Sequence, residues 1–135
     1  MSMHQDPDIK AAEDKARDAL KAGRYQEAID ALQEAVHGHP ACADLHTFLG
    51  IAYYHMSNMD DAVKSFARAA ALDNGHAMAH YNYAAILDKV GKTYEAIEEL
   101  QLALKIDPHY RQAEELLSQI QARLETKHKE SWEWS

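Results

Sequence analysis

At 135 residues and 47% hydrophobic content, the chain is long enough for one domain with a core, and much of its apolar content is alanine. A formal charge of −8 disfavours general nucleic-acid binding, and a lone cysteine, Cys42, excludes an internal disulfide. Few β-branched residues and only five glycines argue against a sheet.

The first residues lack the apolar core of a signal peptide, and no apolar run approaches membrane-spanning length, so the expected address is cytoplasmic with no membrane partner. Asp6-Pro7 reads as a helix start, with Asp6 as the N-cap and Pro7 at the first helical position. The helix that follows carries Ile9, Ala12, Ala16, Ala19 and Leu20 on one side, and Gly23 ends it. A return helix over 25–36 buries Ala28, Ile29, Leu32 and Ala35. His37-Gly38-His39-Pro40 closes it, and Pro40 is expected to open the next helix. That helix covers 42–56, and Ser57-Asn58 makes its turn. Its partner covers 60–72, with Ala62, Val63, Phe66, Ala69 and Ala70 inward. Asp73-Asn74-Gly75 is turn chemistry. A third pair follows over 77–90 and 94–106, with Gly91 between them. Asp107-Pro108 is expected to start the last helix, whose apolar face is Leu116, Leu117, Ile120 and Leu124. Glu114, Glu115, Gln119, Gln121 and Arg123 give it a polar face, as a terminal cap requires.

These pairs repeat. Ala28, Ala62 and Ala96 are 34 residues apart, as are Leu32, Phe66 and Leu100, and Ala35, Ala69 and Ala103. With Leu49-Gly50 and Tyr53 leading into Ala62, Phe66 and Ala69, the pattern resembles the tetratricopeptide repeat, a 34-residue helix–turn–helix unit. The repeats fall at 9–42, 43–76 and 77–110, followed by a capping helix over 111–128 and a tail over 129–135. His46 stands where the family usually has an aromatic, Asn74 where it has proline, and Lys15-Ala16 at the Leu-Gly positions. The resemblance implies a single all-α domain, a right-handed α-solenoid of three helix–turn–helix repeats plus a C-terminal capping helix. Gly50 and Ala84 are expected opposite Ala62 and Ala96, where helix backbones pass closely.

Nine histidines raise the question of a metal. His76 and His80 share a helical face and His37-Gly38-His39 lies at a turn, but no Cys-x-x-Cys or His-Glu-x-x-His accompanies them. His46 and His80 occupy the repeat's aromatic offset and read as packing residues, so neither metal nor cofactor is expected. Phosphate-loop, nucleophile-elbow and dinucleotide motifs are missing from the sequence. The carboxylate pairs Glu98-Glu99, Asp60-Asp61 and Glu114-Glu115 read as solvated faces, so no catalysis is expected.

The leading helices are more informative. The resemblance places Thr47, Ile51, Tyr54 and His55 on a concave groove, with Tyr81, Asn82, Ala85, Asp88 and Lys89 continuing it beside Met78. Tyrosine suits such a surface, being amphipathic. Arg17 and Lys21, with Lys10, form a basic end. Some family members clamp chaperone C-terminal carboxylates with Lys and Asn at set offsets. Here Glu13, Arg17, Phe48, Met78 and Asn82 stand at such positions, and the clamp is not reproduced. The expected function is non-catalytic binding of a peptide segment of a partner protein in the groove. The alternative is homo-oligomeric self-assembly through the convex surface or the tail, where Trp132 and Trp134 sit.

Overall fold

The structure is a computed structural model that describes residues 6–133. Among these residues it is all-α, with seven helices. They are α1 Pro7–Lys21, α2 Tyr25–Gly38, α3 Ala43–His55, α4 Met59–Leu72, α5 Ala77–Lys89, α6 Thr93–Ile106 and α7 Arg111–Glu133. The chain divides into two compact units, Met1–Asn74 and Gly75–Ser135.

In the first unit α1 packs on α2, α2 on α3 and α3 on α4, with α1 also touching α3. Ile9, Leu32 and Leu45 are fully buried in its core, each worth about 1.5–3 kcal/mol of apolar burial. Ala16, Ala19, Ala28 and Ala52 fill the spaces between backbones, which is where the alanine content goes. Cys42 is buried among them, and desolvation pushes its thiol pKa up. In the second unit α5 packs on α6, and α7 lies against both. Ala84, Leu87, Ala96, Leu100 and Ala103 form that core, and Ala113 and Ile120 are the fully buried residues of α7. Leu116, Leu117 and Leu124 are half-buried.

The leading helix of each repeat ends in the same turn. The amide of Arg24 donates to the Ala19 carbonyl (2.8 Å) and that of Gly23 to Leu20 (3.2 Å), closing a Schellman motif around Gly23 at φ 76°. Gly91, at φ 87°, sits in the matching turn, with Lys92 donating to Leu87 (2.9 Å). Ser57 occupies the equivalent position at φ 61°, with Asn58 donating to Tyr53 (2.9 Å). Asn58 then caps α4, accepting from the Asp61 amide.

Three local expectations are corrected. Pro40 does not open a helix: its carbonyl accepts from Nε2 of His46 (2.9 Å), the chain turns, and α3 begins at Ala43. Asp107-Pro108 also forms a turn, with the Tyr110 amide donating to the Asp107 carbonyl (3.1 Å); helical bonding starts from the Tyr110 carbonyl. The last helix continues through Glu133, so residues 129–133 extend it rather than forming a separate tail. Trp134 lies outside the described residues. At Gly50 the nearest atoms belong to Phe66: a Cβ built there meets three ring carbons at 2.8 Å, and Ala62, one helical turn before Phe66, is fully buried.

Candidate peptide-binding surface

In the first unit, the α3 residues of the expected groove form a half-exposed stripe. Thr47, Ile51 and Tyr54 are half-buried and His55 is exposed. Thr47 turns its hydroxyl back onto the Ala43 carbonyl (3.2 Å). His55 stacks on Tyr25 with centroids 5.1 Å apart and planes 7° from parallel, and the Tyr54 ring meets His55 edge-on at 5.6 Å. Three rings therefore support one another, which fixes their orientation before any ligand arrives. Arg17 is not an open charge: it donates to Asp14 (3.1 Å) and its guanidinium lies 5.7 Å from the centre of the Phe48 ring. Lys21 is exposed.

In the second unit, Tyr81, Asn82 and Ala85 are half-buried on α5 and Met78 beside them is exposed. Tyr81 packs edge-on against Tyr110 at 5.4 Å. Burial, then the neighbouring Tyr81 and Asp107, raises the Tyr110 hydroxyl above the usual tyrosine range, so it stays neutral. Asp88 does not offer its carboxylate outward. Both terminal nitrogens of Arg123, on α7, donate to it, and its side chain is only 12% exposed. Arg123, expected on the solvated face of the cap, thus ties α7 to α5. Lys89 is exposed.

Of the two histidines at the repeat's aromatic offset, His46 is half-buried and bonded to the Pro40 carbonyl. His80 is 7% exposed. Its Nδ1 lies 2.7 Å from Oε2 of Glu99, which joins α5 to α6. Glu99 is therefore half-buried and engaged, against the expectation of a solvated pair, whereas Glu98, Asp60, Glu114 and Glu115 are exposed. The Glu99 charge also acts on Tyr83, whose hydroxyl pKa is raised first by burial and then by Glu99 and Glu95. No described helix is long and apolar enough to cross a membrane.

Sequence reasoning missed Tyr25, Tyr110 and the partners of Asp88 and His80. Tyr110 carried a usable signal: it lies 34 residues after His76 and 68 after Cys42, the positions just before the leading helices. The others join residues whose spacing is unrelated to the repeat.

A family model described as tetratricopeptide repeat matches residues 13–77 and 56–111, most of the chain. The chain belongs to the tetratricopeptide repeat family. Among curated relatives of this tetratricopeptide repeat protein, the mouse Superkiller complex protein 3 is 33% identical over 91 residues. That match covers 67% of this chain and 6% of the relative, so the chain spans a small fraction of that protein's length. Among solved structures, the first repeat domain of Spaghetti (RPAP3) bound to the HSP90 peptide SRMEEVD superimposes with a TM-score of 0.82. It is 24% identical, and the alignment covers 91% of this chain and 98% of that one. The second repeat domain of human RPAP3, in complex with the HSP70 peptide SGPTIEEVD, gives a TM-score of 0.79 at 24% identity, over 84% and 95% of the two chains. At these identities the likeness establishes the tetratricopeptide repeat fold.

Proposed function

We propose that this chain is a non-catalytic interaction module that binds a peptide segment of a partner protein. The candidate contact residues are Thr47, Ile51, Tyr54 and His55 on the α3 face of the first unit and, on the α5 face of the second unit taken by itself, Tyr81, Asn82 and Ala85. The observation that carries the reading is the pair of half-buried tyrosines, each held by a second ring: Tyr54 against His55 and Tyr81 against Tyr110. Pre-oriented aromatic side chains lose little freedom on binding and suit the anchor positions of interfaces. Neighbours of the same fold hold peptides in their solved structures, which supports a peptide as the ligand class. The ligand chemistry differs here, because Glu13, Phe48 and Met78 replace the basic and amide groups expected of a carboxylate clamp. An apolar or aromatic anchor is the better complement, with acidic residues directed towards Lys21.

Tyr54→Ala and Tyr81→Ala are the test, with calorimetry on a partner recovered with the intact chain. Each is expected to cost about 2 kcal/mol, roughly thirtyfold in Kd, without unfolding. Normal binding by both variants, with loss on substituting exposed residues of α2 or α6, rejects the assignment. Self-assembly is the second reading, favoured by Trp132, which is 71% exposed on α7 and meets the His128 ring edge-on at 6.4 Å. A mass that stays monomeric at all concentrations, with and without residues 131–135, removes it.

A further inference from the structure

We propose that Asp6, Asp8 and His39 form a binding site for a divalent first-row cation, Zn²⁺ foremost, that fastens the start of α1 to the end of α2. One donor atom from each residue lies within 4.8 Å of the other two. The cluster is not a run of acidic residues along one helix. His39 reaches it from the C-terminal cap of α2, 33 residues further along the chain.

The donors are set by backbone features that exist for other reasons. Asp6 caps α1, and its Oδ1 accepts from the Asp8 amide at 2.9 Å. That bond turns the second oxygen, Oδ2, towards Nε2 of His39 at 3.8 Å. The separation is too long for a hydrogen bond. It is close to the spacing of about 3.3 Å that ligands take around a tetrahedral ion with bonds near 2.0–2.1 Å. On the other side, the His39 amide donates to the carbonyls of Ala35 (2.8 Å) and Val36 (3.2 Å), fixing the root of the imidazole. The widest separation in the set, up to 4.8 Å, must also shorten to about 3.3 Å for all three donors to meet one ion.

The donor types select the ion class. One imidazole with two carboxylates suits Zn²⁺ and its first-row neighbours, whereas Mg²⁺ and Ca²⁺ prefer oxygen throughout. Three protein ligands leave a position for water. Beside the cluster is an open cavity of about 420 Å³ whose wall includes Asp8, Lys15, Glu34 and His39. It admits that water and gives the ion a route in.

The site bears on function because α1 leads the first unit and carries Arg17 and Lys21. A cation joining its first turn to the end of α2 stabilises the folded hairpin by mass action.

The experiment is a Zn²⁺ titration of the metal-stripped full chain, read by calorimetry and by amide NMR shifts. One equivalent is expected, with shifts concentrated at Asp8, Ile9, Gly38 and His39. His39→Ala and Asp8→Ala should each weaken binding about tenfold or more, since each removes a ligand. Asp8→Ala keeps the amide that caps on Asp6, so it reports on ligation even if His39→Ala folds poorly. His109→Ala and His128→Ala should leave affinity unchanged. Absence of binding, or binding spread over several histidines and indifferent to both cluster variants (an adventitious ion only), overturns the proposal.

Discussion

Gly50→Ala is the substitution on which the packing account makes its sharpest statement. Gly50 is buried in the middle of α3, where alanine is ordinarily favoured over glycine by about 1 kcal/mol. The added Cβ lies 2.8 Å from Cδ1, Cε1 and Cζ of Phe66. Carbon atoms pack best at about 3.5–4.0 Å, so the ring must withdraw by about 0.7 Å or more. The ring is itself 7% exposed in a core that contains Ala62 at its base, so it has little room to yield. Overpacking of this kind costs about 1–3 kcal/mol. Setting the propensity gain against it leaves a net loss of about 1 kcal/mol. The background Phe66→Leu removes the outer ring carbons, and in it the same Gly50→Ala change should become neutral or stabilising. Urea unfolding followed by circular dichroism, on all four members of the cycle, measures the coupling. Equal effects of Gly50→Ala in both backgrounds refute the assigned contact between α3 and α4.

Ser57→Gly should raise stability by about 0.5–1 kcal/mol in the same assay, since φ 61° strains a side chain that Gly23 and Gly91 avoid; a loss instead would show the serine hydroxyl to matter more than the strain. Glu99→Ala should cost about 1–3 kcal/mol by removing the acceptor for Nδ1 of His80 in a largely buried site. An unchanged unfolding midpoint there contradicts the α5–α6 link. Cys42, buried with a raised pKa, should resist alkylation in the native protein and react once urea unfolds it; rapid native labelling would place it outside the core.

The period of 34 was legible because it is written in small residues that the core fully buries, Ala28, Ala62 and Ala96. The shared turn was legible at Gly23 and Gly91 by their chemistry, and at Ser57 by its offset and the Ser57-Asn58 pair. Asp-Pro pairs misled, and the reason is local. Asp6 and Asp107 both accept from the amide two residues on. The Asp6 carbonyl then accepts from Lys10, four residues ahead, whereas that of Asp107 accepts from Tyr110, three ahead. A helix follows in one case and a tight turn in the other, and nothing in the dipeptide chooses between them. In the candidate surface, residue types and helix faces could be read, but their contacts could not. Tyr25–His55 joins the start of α2 to the end of α3, Tyr81–Tyr110 joins α5 to the residue before α7, and both contacts depend on how the helices are rotated. Arg123–Asp88 shows how far a surface reading can go astray, since each was assigned to solvent or ligand and each satisfies the other.

The central claim is that the leading-helix faces are where a partner binds. Hydrogen exchange of the full chain, with and without the recovered partner segment, measures this residue by residue. The account predicts slowed exchange within α3 and α5, around Ile51–Tyr54 and Tyr81–Ala85, with α4 and α6 unaffected. Protection confined to α4, α6 or the end of α7 would contradict it.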